Sequence, residues 1–132
     1  MSMTDPISDY LTRIRNAIQA RHRYTDVPAS RLKAEISKIL IDAGFIKGVK
    51  FIDDDKQGFL RVYIKYGKND LSAINGLKRF SKPSLRVYVP SDKIPRVLGG
   101  YGLVILLTSQ GVLAGAECRS RGIGGEVICE VW

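Results

Sequence analysis

Phe59-Leu60-Arg61-Val62-Tyr63-Ile64-Lys65-Tyr66-Gly67-Lys68-Asn69-Asp70 holds the change of pattern that sets the fold. Its first eight residues read as a β-strand with Leu60, Val62, Ile64 and Tyr66 on one inward face, the alternation of a strand buried on one side. Tyr66 to Asp70 then brings in polar turn formers, and beyond them helical periodicity gives way to short β-type runs. The contrast predicts an α+β chain of two small lobes. Residues 1–66 form an α/β lobe of two helices on a short sheet, and residues 67–132 form a mainly β lobe with one short helix.

Toward the N-terminus, Phe45 to Ile52 reads as a second strand, joined to the first by the turn-forming Asp53-Asp54-Asp55-Lys56-Gln57-Gly58. Before it, Leu32, Ile36, Ile39, Leu40 and Ala43 recur at helical spacing from Ser30, with Gly44 suited to a left-handed stop. A first helix opens at Asp5-Pro6, carries Ile7, Tyr10, Leu11, Ile14 and Ile18, and runs to about Arg21. In the other direction, Leu85 to Val89 alternates, Leu103 to Leu107 is continuously apolar, and Glu126 to Trp132 is rich in β-formers. Gly115 to Arg121 is long enough for only a short helix.

With 21 lysines and arginines against 13 acidic residues, the chain carries a formal charge of +8, which favours a polyanionic partner. No apolar run approaches the length of a bilayer span and no amphipathic anchor dominates, so nucleic acid is favoured over a membrane surface. The first ten residues hold Asp5 and Asp9 and lack both a signal-type apolar core and an Arg-rich transit pattern, which predicts a protein that stays where it is made. Cys118 and Cys129 fit no zinc or dithiol spacing and read as core or neutral positions in a reducing compartment.

Catalysis needs convergent groups. The single histidine, His22, lies between Arg21 and Arg23 and reads as a solvated helix end. Asp53 to Asp55 lack the alternating ligands and closing glutamate of a calcium loop. Two glycine clusters, Gly99-Gly100-Tyr101-Gly102 and Gly122-Ile123-Gly124-Gly125, each lead into a β-type run, so they read as tight turns rather than phosphate cradles. No catalytic residue, metal ligand or cofactor is predicted.

The basic residues say more. Lys78, Arg79, Lys82, Arg86, Lys93 and Arg96 share a stretch with one acid, Asp92, and with Phe80 and Tyr88 interleaved. Near the N-terminus, Arg13, Arg15, Arg21, Arg23, Arg31 and Lys33 form a comparable run and suggest a second phosphate-contacting surface. Thr108-Ser109-Gln110-Gly111 follows a buried strand and is thin enough to approach a nucleic-acid backbone, although the same spacing fits an ordinary hairpin turn.

Several segments together resemble one known family. They are Thr4-Asp5-Pro6-Ile7-Ser8-Asp9 with Leu11-Thr12-Arg13-Ile14-Arg15-Asn16-Ala17, Gly44-Phe45-Ile46, Lys82-Pro83-Ser84-Leu85-Arg86-Val87-Tyr88, and Ile94-Pro95-Arg96-Val97. The turn Thr108-Ser109-x-Gly111-Val112 and the ending Gly124 to Trp132 complete the set. The chain resembles, over essentially its whole length, the bacterial-type small-subunit ribosomal protein number eight, the S-eight family. The resemblance implies a structural, non-enzymatic protein that binds the central domain of small-subunit ribosomal RNA early in assembly. It places the main contacts in the C-terminal lobe, with Thr108 and Ser109 in the loop reaching RNA, Tyr88 and Glu126 nearby and Lys82 and Arg86 as basic support; Gln110, Gly111, Gly124 and Gly125, beside them in the same turns, join the candidate set. Arg13, Arg15, Asn16 and Lys33 complete the candidate set in the N-terminal lobe.

Glu126 is unusual in that set: beside RNA a carboxylate must accept from base amino groups or orient a neighbour, and a structural hydrogen bond at a strand start accounts for it equally well. The chain also departs from the family pattern. Leu107 and Gln110 stand where the family usually has serine and lysine, and Ala114-Gly115-Ala116 replaces Thr-Asp-Arg, which removes the usual cap of the short helix. The implied partners are small-subunit ribosomal RNA, neighbouring small-subunit proteins and a messenger of its own operon that imitates the ribosomal site. The implied state outside the ribosome is a monomer, in a bacterial or organelle-encoded setting and in the cytoplasm. A small enzyme acting on a phosphorylated ligand, and a free-standing regulatory RNA binder, are the competing readings.

Overall fold

Ile7, Tyr10, Leu11, Ile14 and Ala17 recur on one helical face, and in the computed structural model, which describes residues 5–132, they form the buried side of helix α1 (Pro6–Gln19). Thr4, part of the N-terminal motif, lies outside the described residues. The helix stops short of Arg21 because Arg21 turns left-handed, at φ 58°, and the His22 amide closes on the Ala17 carbonyl at 2.8 Å.

Helix α2 (Arg31–Asp42) begins where the Ser30 hydroxyl accepts the Lys33 amide at 3.2 Å, and ends before Gly44, which takes φ 82°. Its buried face is Lys33, Ile36, Ser37 and Leu40, so the face is turned from the expected stripe: Leu32 and Ile39 are half-buried and Ala43 is exposed. A polar contact causes the turn. The Ser37 hydroxyl donates to the Lys33 carbonyl at 2.8 Å and lies 2.6 Å from the fully buried Tyr10 hydroxyl.

Strands β1 (Tyr24–Pro28), β2 (Ile46–Ile52) and β3 (Phe59–Ile64) form an antiparallel sheet in the order β1-β3-β2. Strand β1, which is five residues long and buries only Val27, is not anticipated by the sequence pattern. Leu60, Val62 and Ile64 are buried as expected, whereas Tyr66 is half-buried and donates its hydroxyl to the His22 carbonyl at 2.7 Å. The Ala73 amide returns to the Lys65 carbonyl at 2.9 Å and Tyr66 bridges Ser72, so the segment after β3 folds back onto it. Contacts accordingly group Ile7–Asn75 as one unit, reaching past the anticipated 66/67 boundary, and Gly76–Trp132 with Asp5 and Pro6 as the other.

The second unit is mainly β, with one short helix, α3 (Gly115–Arg121). Its central strand is β8 (Gly125–Val131). On one side β8 pairs β6 (Leu103–Thr108), which in turn pairs β7 (Gly111–Ala114). On the other side β8 pairs β4 (Leu77–Arg79) and then β5 (Tyr88–Val89). Ile94, Val104, Leu106, Cys118 and Val127 form the core, with Phe80, Val87, Val89, Val97, Leu113 and Ile123 packed around it. The alternation from Leu85 to Val89 yields only the short β5, because Lys82 and Leu85 pair with each other around Pro83-Ser84 in a tight turn.

Candidate nucleic-acid interface

Strand pairing in the second unit gathers residues that are far apart in the chain. Glu126, near the start of β8, faces Tyr88 of β5 on one side and Leu107 of β6 on the other. The β6–β7 hairpin closes with Thr108 opposite Gly111, which puts Ser109 and Gln110 at the tip. Thr108, Ser109, Gln110, Gly111, Tyr88, Glu126, Gly124, Gly125, Lys82 and Arg86 therefore belong to one end of one sheet.

The hairpin tip is built from its own hydrogen bonds. The Thr108 hydroxyl donates to the Gly111 carbonyl at 2.8 Å and accepts the Gln110 amide at 3.0 Å, and Gly111 takes φ 102°. Thr108 thus shapes the turn, and exposed Ser109 is the hydroxyl presented outward. Gln110 accepts Arg121 Nη1 at 2.8 Å, and Arg121 Nε also donates to Glu117 at 2.7 Å. A guanidinium from the end of α3 is brought to the tip, where the family pattern has a lysine. Arg121 is absent from the residues that the sequence singles out, and nothing in its spacing points to this partner. The start of α3 has no side-chain cap at Ala114, as the departure from the family pattern implies.

Gly124 and Gly125 are dictated by packing. A Cβ on Gly124 would press into the Val89 carbonyl and Pro90, and one on Gly125 would lie 2.5 Å from the Leu107 carbonyl and 2.9 Å from Thr108 Cγ2. Only glycine lets the ends of β5 and β6 approach β8 this closely. The thin backbone at this edge is a consequence.

Glu126 is 6% exposed. It accepts the Ser81 hydroxyl and, at 3.0 Å, Arg86 Nη1, while Ser81 Oγ accepts the Val87 amide at 3.2 Å. Of the roles open to this carboxylate, the geometry supplies the positioning one: Glu126 orders the segment from Ser81 to Val87 and aims the half-exposed Arg86. The hydrogen bond and charge of Glu126 raise the Arg86 guanidinium above its already high ordinary value. Ser81, which carries no signal in the sequence, is the buried hinge of this arrangement. Lys82 is exposed beside it, and Tyr88 is 68% exposed.

In the first unit, Arg13, Arg15 and Asn16 are exposed on α1, with Arg13 held by Asp9 at 2.8 Å and by the Asp26 carbonyl at 3.1 Å. Lys33 is a correction. It is 3% exposed, its ammonium donates to the Pro28 carbonyl at 2.9 Å, and burial lowers its pKa, so it is withdrawn from the basic surface.

None of this is reaction chemistry. Burial raises both cysteine thiols, Cys129 to about 12, which leaves them protonated and unreactive. The Asp54 carboxylate is occupied by the Lys56 and Gly58 amides of its own turn. Short hydroxyls, a thin backbone edge and positioned guanidiniums suit recognition of a shaped, anionic ligand.

Comparison with known proteins points the same way. The family described as ribosomal protein S8 matches residues 5–132. The small ribosomal subunit protein uS8 of Pediococcus pentosaceus is 56% identical over the whole of both chains. The protein of the same name from Geobacillus kaustophilus is 57% identical over 132 residues, and that from Thermodesulfovibrio yellowstonii is 58% identical over 98% of this chain and 99% of its own.

Proposed function

The chain belongs to the ribosomal protein S8 family, and from that premise we propose that it is a structural, non-catalytic constituent of the small ribosomal subunit that binds ribosomal RNA through its C-terminal unit. The observation that carries this reading is the convergence of the Thr108–Gly111 tip, the Gly124-Gly125 edge, Tyr88 and the Glu126-aimed Arg86 on one sheet end. Ser109 and the backbone amides reach hydroxyls and base edges in the shallow groove of A-form RNA, while Arg86, Arg121 and Lys82 locate phosphates. Arg13, Arg15 and Asn16 form a separate contact surface on the N-terminal unit.

The RNA is the central domain of the small-subunit ribosomal RNA, bound early in assembly, and neighbouring small-subunit proteins complete its surroundings in the cytoplasmic ribosome. Outside the particle the protein is a monomer. A messenger segment of the same shape meets the same residues, which makes the protein a translational repressor of its own operon.

The test combines sedimentation with binding. The tagged protein is expected to sediment with small subunits, and the purified protein to bind a central-domain hairpin at least tenfold more tightly than a scrambled duplex. Sedimentation away from ribosomal particles with the binding preference intact would instead identify a free-standing RNA regulator. Loss of the preference would remove the proposal.

A further inference from the structure

The sheet β1-β3-β2 has a second face whose composition the function above does not use. Register places Tyr24, Tyr63 and Gly48 in one row across the three strands, and Asp26, Arg61 and Lys50 in the next. These residues alternate with the buried Val27, Leu60, Val62 and Ile64 and so lie on the opposite face. A groove of about 650 Å³ opens at this end of the sheet, lined by Arg23, Tyr24, Lys47, Tyr63, Lys65 and Tyr66 together with Ile64.

We infer that this groove is a further nucleic-acid site, distinct from the Arg13, Arg15 and Asn16 surface, and that it takes an unpaired RNA segment with a base stacked beside Tyr63. Three observations carry it. First, the lining holds three cations and no carboxylate, and the carboxylate in the adjoining row, Asp26, is engaged by Arg61 at 2.9 and 3.2 Å. The groove is complementary to a polyanion.

Second, the aromatics are arranged as a platform. The Tyr24 and Tyr63 rings lie 6.0 Å apart and tilted by 55°, and the Arg61 guanidinium backs the Tyr24 ring at 4.3 Å. Tyr66 is fixed by its bond to the His22 carbonyl. Rings and guanidiniums in this setting accept bases of any identity, because every base has a π-face.

Third, open space adjoins the groove on the row of Tyr63. Gly48 sits opposite Tyr63, and a Cβ added there would meet nothing within 4 Å, nor does the backbone take a left-handed conformation. Neither packing nor backbone geometry demands glycine at this position; what it leaves is open space on the Tyr63 row. Beside it the register shift between Ile46 and Gly48 inserts Lys47, a bulge of the kind that re-aims a side chain, and Lys47 lines the groove.

Duplex RNA hides its base faces, so this platform selects unpaired nucleotides. The site belongs to the N-terminal unit alone and does not rest on the hairpin contacts proposed above.

The test uses the full-length protein and two RNAs, a fluorescein-labelled octauridine and the central-domain hairpin, read by anisotropy at one salt concentration. Tyr63→Leu is expected to weaken octauridine about tenfold, the loss of one stacked base, and Gly48→Glu to weaken it at least as much by placing a carboxylate in the space. Both variants should keep hairpin affinity within twofold. Gly48→Glu keeps the test decisive if Tyr63→Leu fails to fold, since its side chain enters open space. Octauridine binding that ignores Gly48→Glu, or that a blunt duplex of equal length competes away equally well, overturns the inference and leaves the face to a protein partner. Loss of hairpin binding in the unsubstituted protein with octauridine binding intact would count against the ribosomal RNA reading and leave this one standing.

Discussion

In the C-terminal unit three arginines are fastened to carboxylates: Arg86 to Glu126 at 3.0 Å, Arg79 to Asp5 at 3.1 Å and Arg121 to Glu117 at 2.7 Å. In the N-terminal groove Arg23, Lys47 and Lys65 line one opening with no carboxylate among them. The two arrangements differ in when the ordering cost falls. A guanidinium already held by a buried carboxylate, as Arg86 is by Glu126, loses little freedom on binding and meets the ligand at a set position, so it reads shape. Lysines at an open groove are ordered by the ligand itself and respond mainly to its charge.

The strongest way to break this contrast is to push the fastened strands apart. Gly125→Ala puts a methyl group against the Leu107 carbonyl and should cost about 3 kcal/mol of stability, an overpacking that backbone atoms cannot relieve. Urea denaturation checks the loss, and hairpin binding should fall with it. A midpoint unchanged from wild type would show that the close approach is not needed.

Next comes the carboxylate. Glu126→Gln weakens the charge-assisted contacts to Ser81 and Arg86 and should destabilise by about 2 kcal/mol. Its effect on binding separates the two modes: hairpin affinity should drop while affinity for a scrambled duplex holds or rises, because one negative charge has gone. A parallel fall in both would mean that Arg86 supplies charge only.

Much of this architecture is legible in the amino-acid sequence alone. Apolar spacing locates α1 and α2, Ser30 and Gly44 mark the ends of α2, and the runs at Leu103 and Glu126 locate the two longest strands of the C-terminal sheet. What stays hidden depends on partners distant in sequence. Strand β1 is too short to announce itself, with Val27 its one buried residue, and exists through its pairing with β3. Lys33 reads as one more cation in a basic run, yet it shares a helical face with Ile36 and Leu40 and finds the Pro28 carbonyl, an acceptor with no sequence signature. Ser81 and Arg121 escape notice for the same reason, since Glu126 and Gln110 become their neighbours only after the sheet closes. The glycines at 124 and 125 are visible in the sequence, but the carbonyls that exclude a side chain there are not.

A smaller effect sharpens the roles within the hairpin tip. Ser109→Ala should weaken hairpin binding about fivefold, the worth of roughly one hydrogen bond, and leave stability within about 0.5 kcal/mol of wild type. Thr108→Ala should lower both, because its hydroxyl holds the Gln110 amide and the Gly111 carbonyl. Equal stability losses in the two variants would contradict this division of labour.

A dependence on pH contrasts the buried titratable groups of the two units. Burial lowers Lys33, so in the window below 10.5 the unfolded chain binds the extra proton and stability rises with pH. Burial raises Cys129 from 9.0 to about 12, so between those values the native state holds the extra proton and stability falls with pH. Urea midpoints across this range should lose the rising component in Lys33→Met and the falling one in Cys129→Ala.

The most direct test of the central claim, that the C-terminal surface reads RNA shape through positions set in advance, is a salt series on the purified protein with the central-domain hairpin and a scrambled duplex. If the claim holds, both affinities fall with salt but their ratio stays at tenfold or more, and Ser109→Ala and Glu126→Gln lower that ratio. A ratio that collapses toward one as salt rises, and that neither substitution changes, would contradict it and leave only the attraction of a +8 protein for a polyanion.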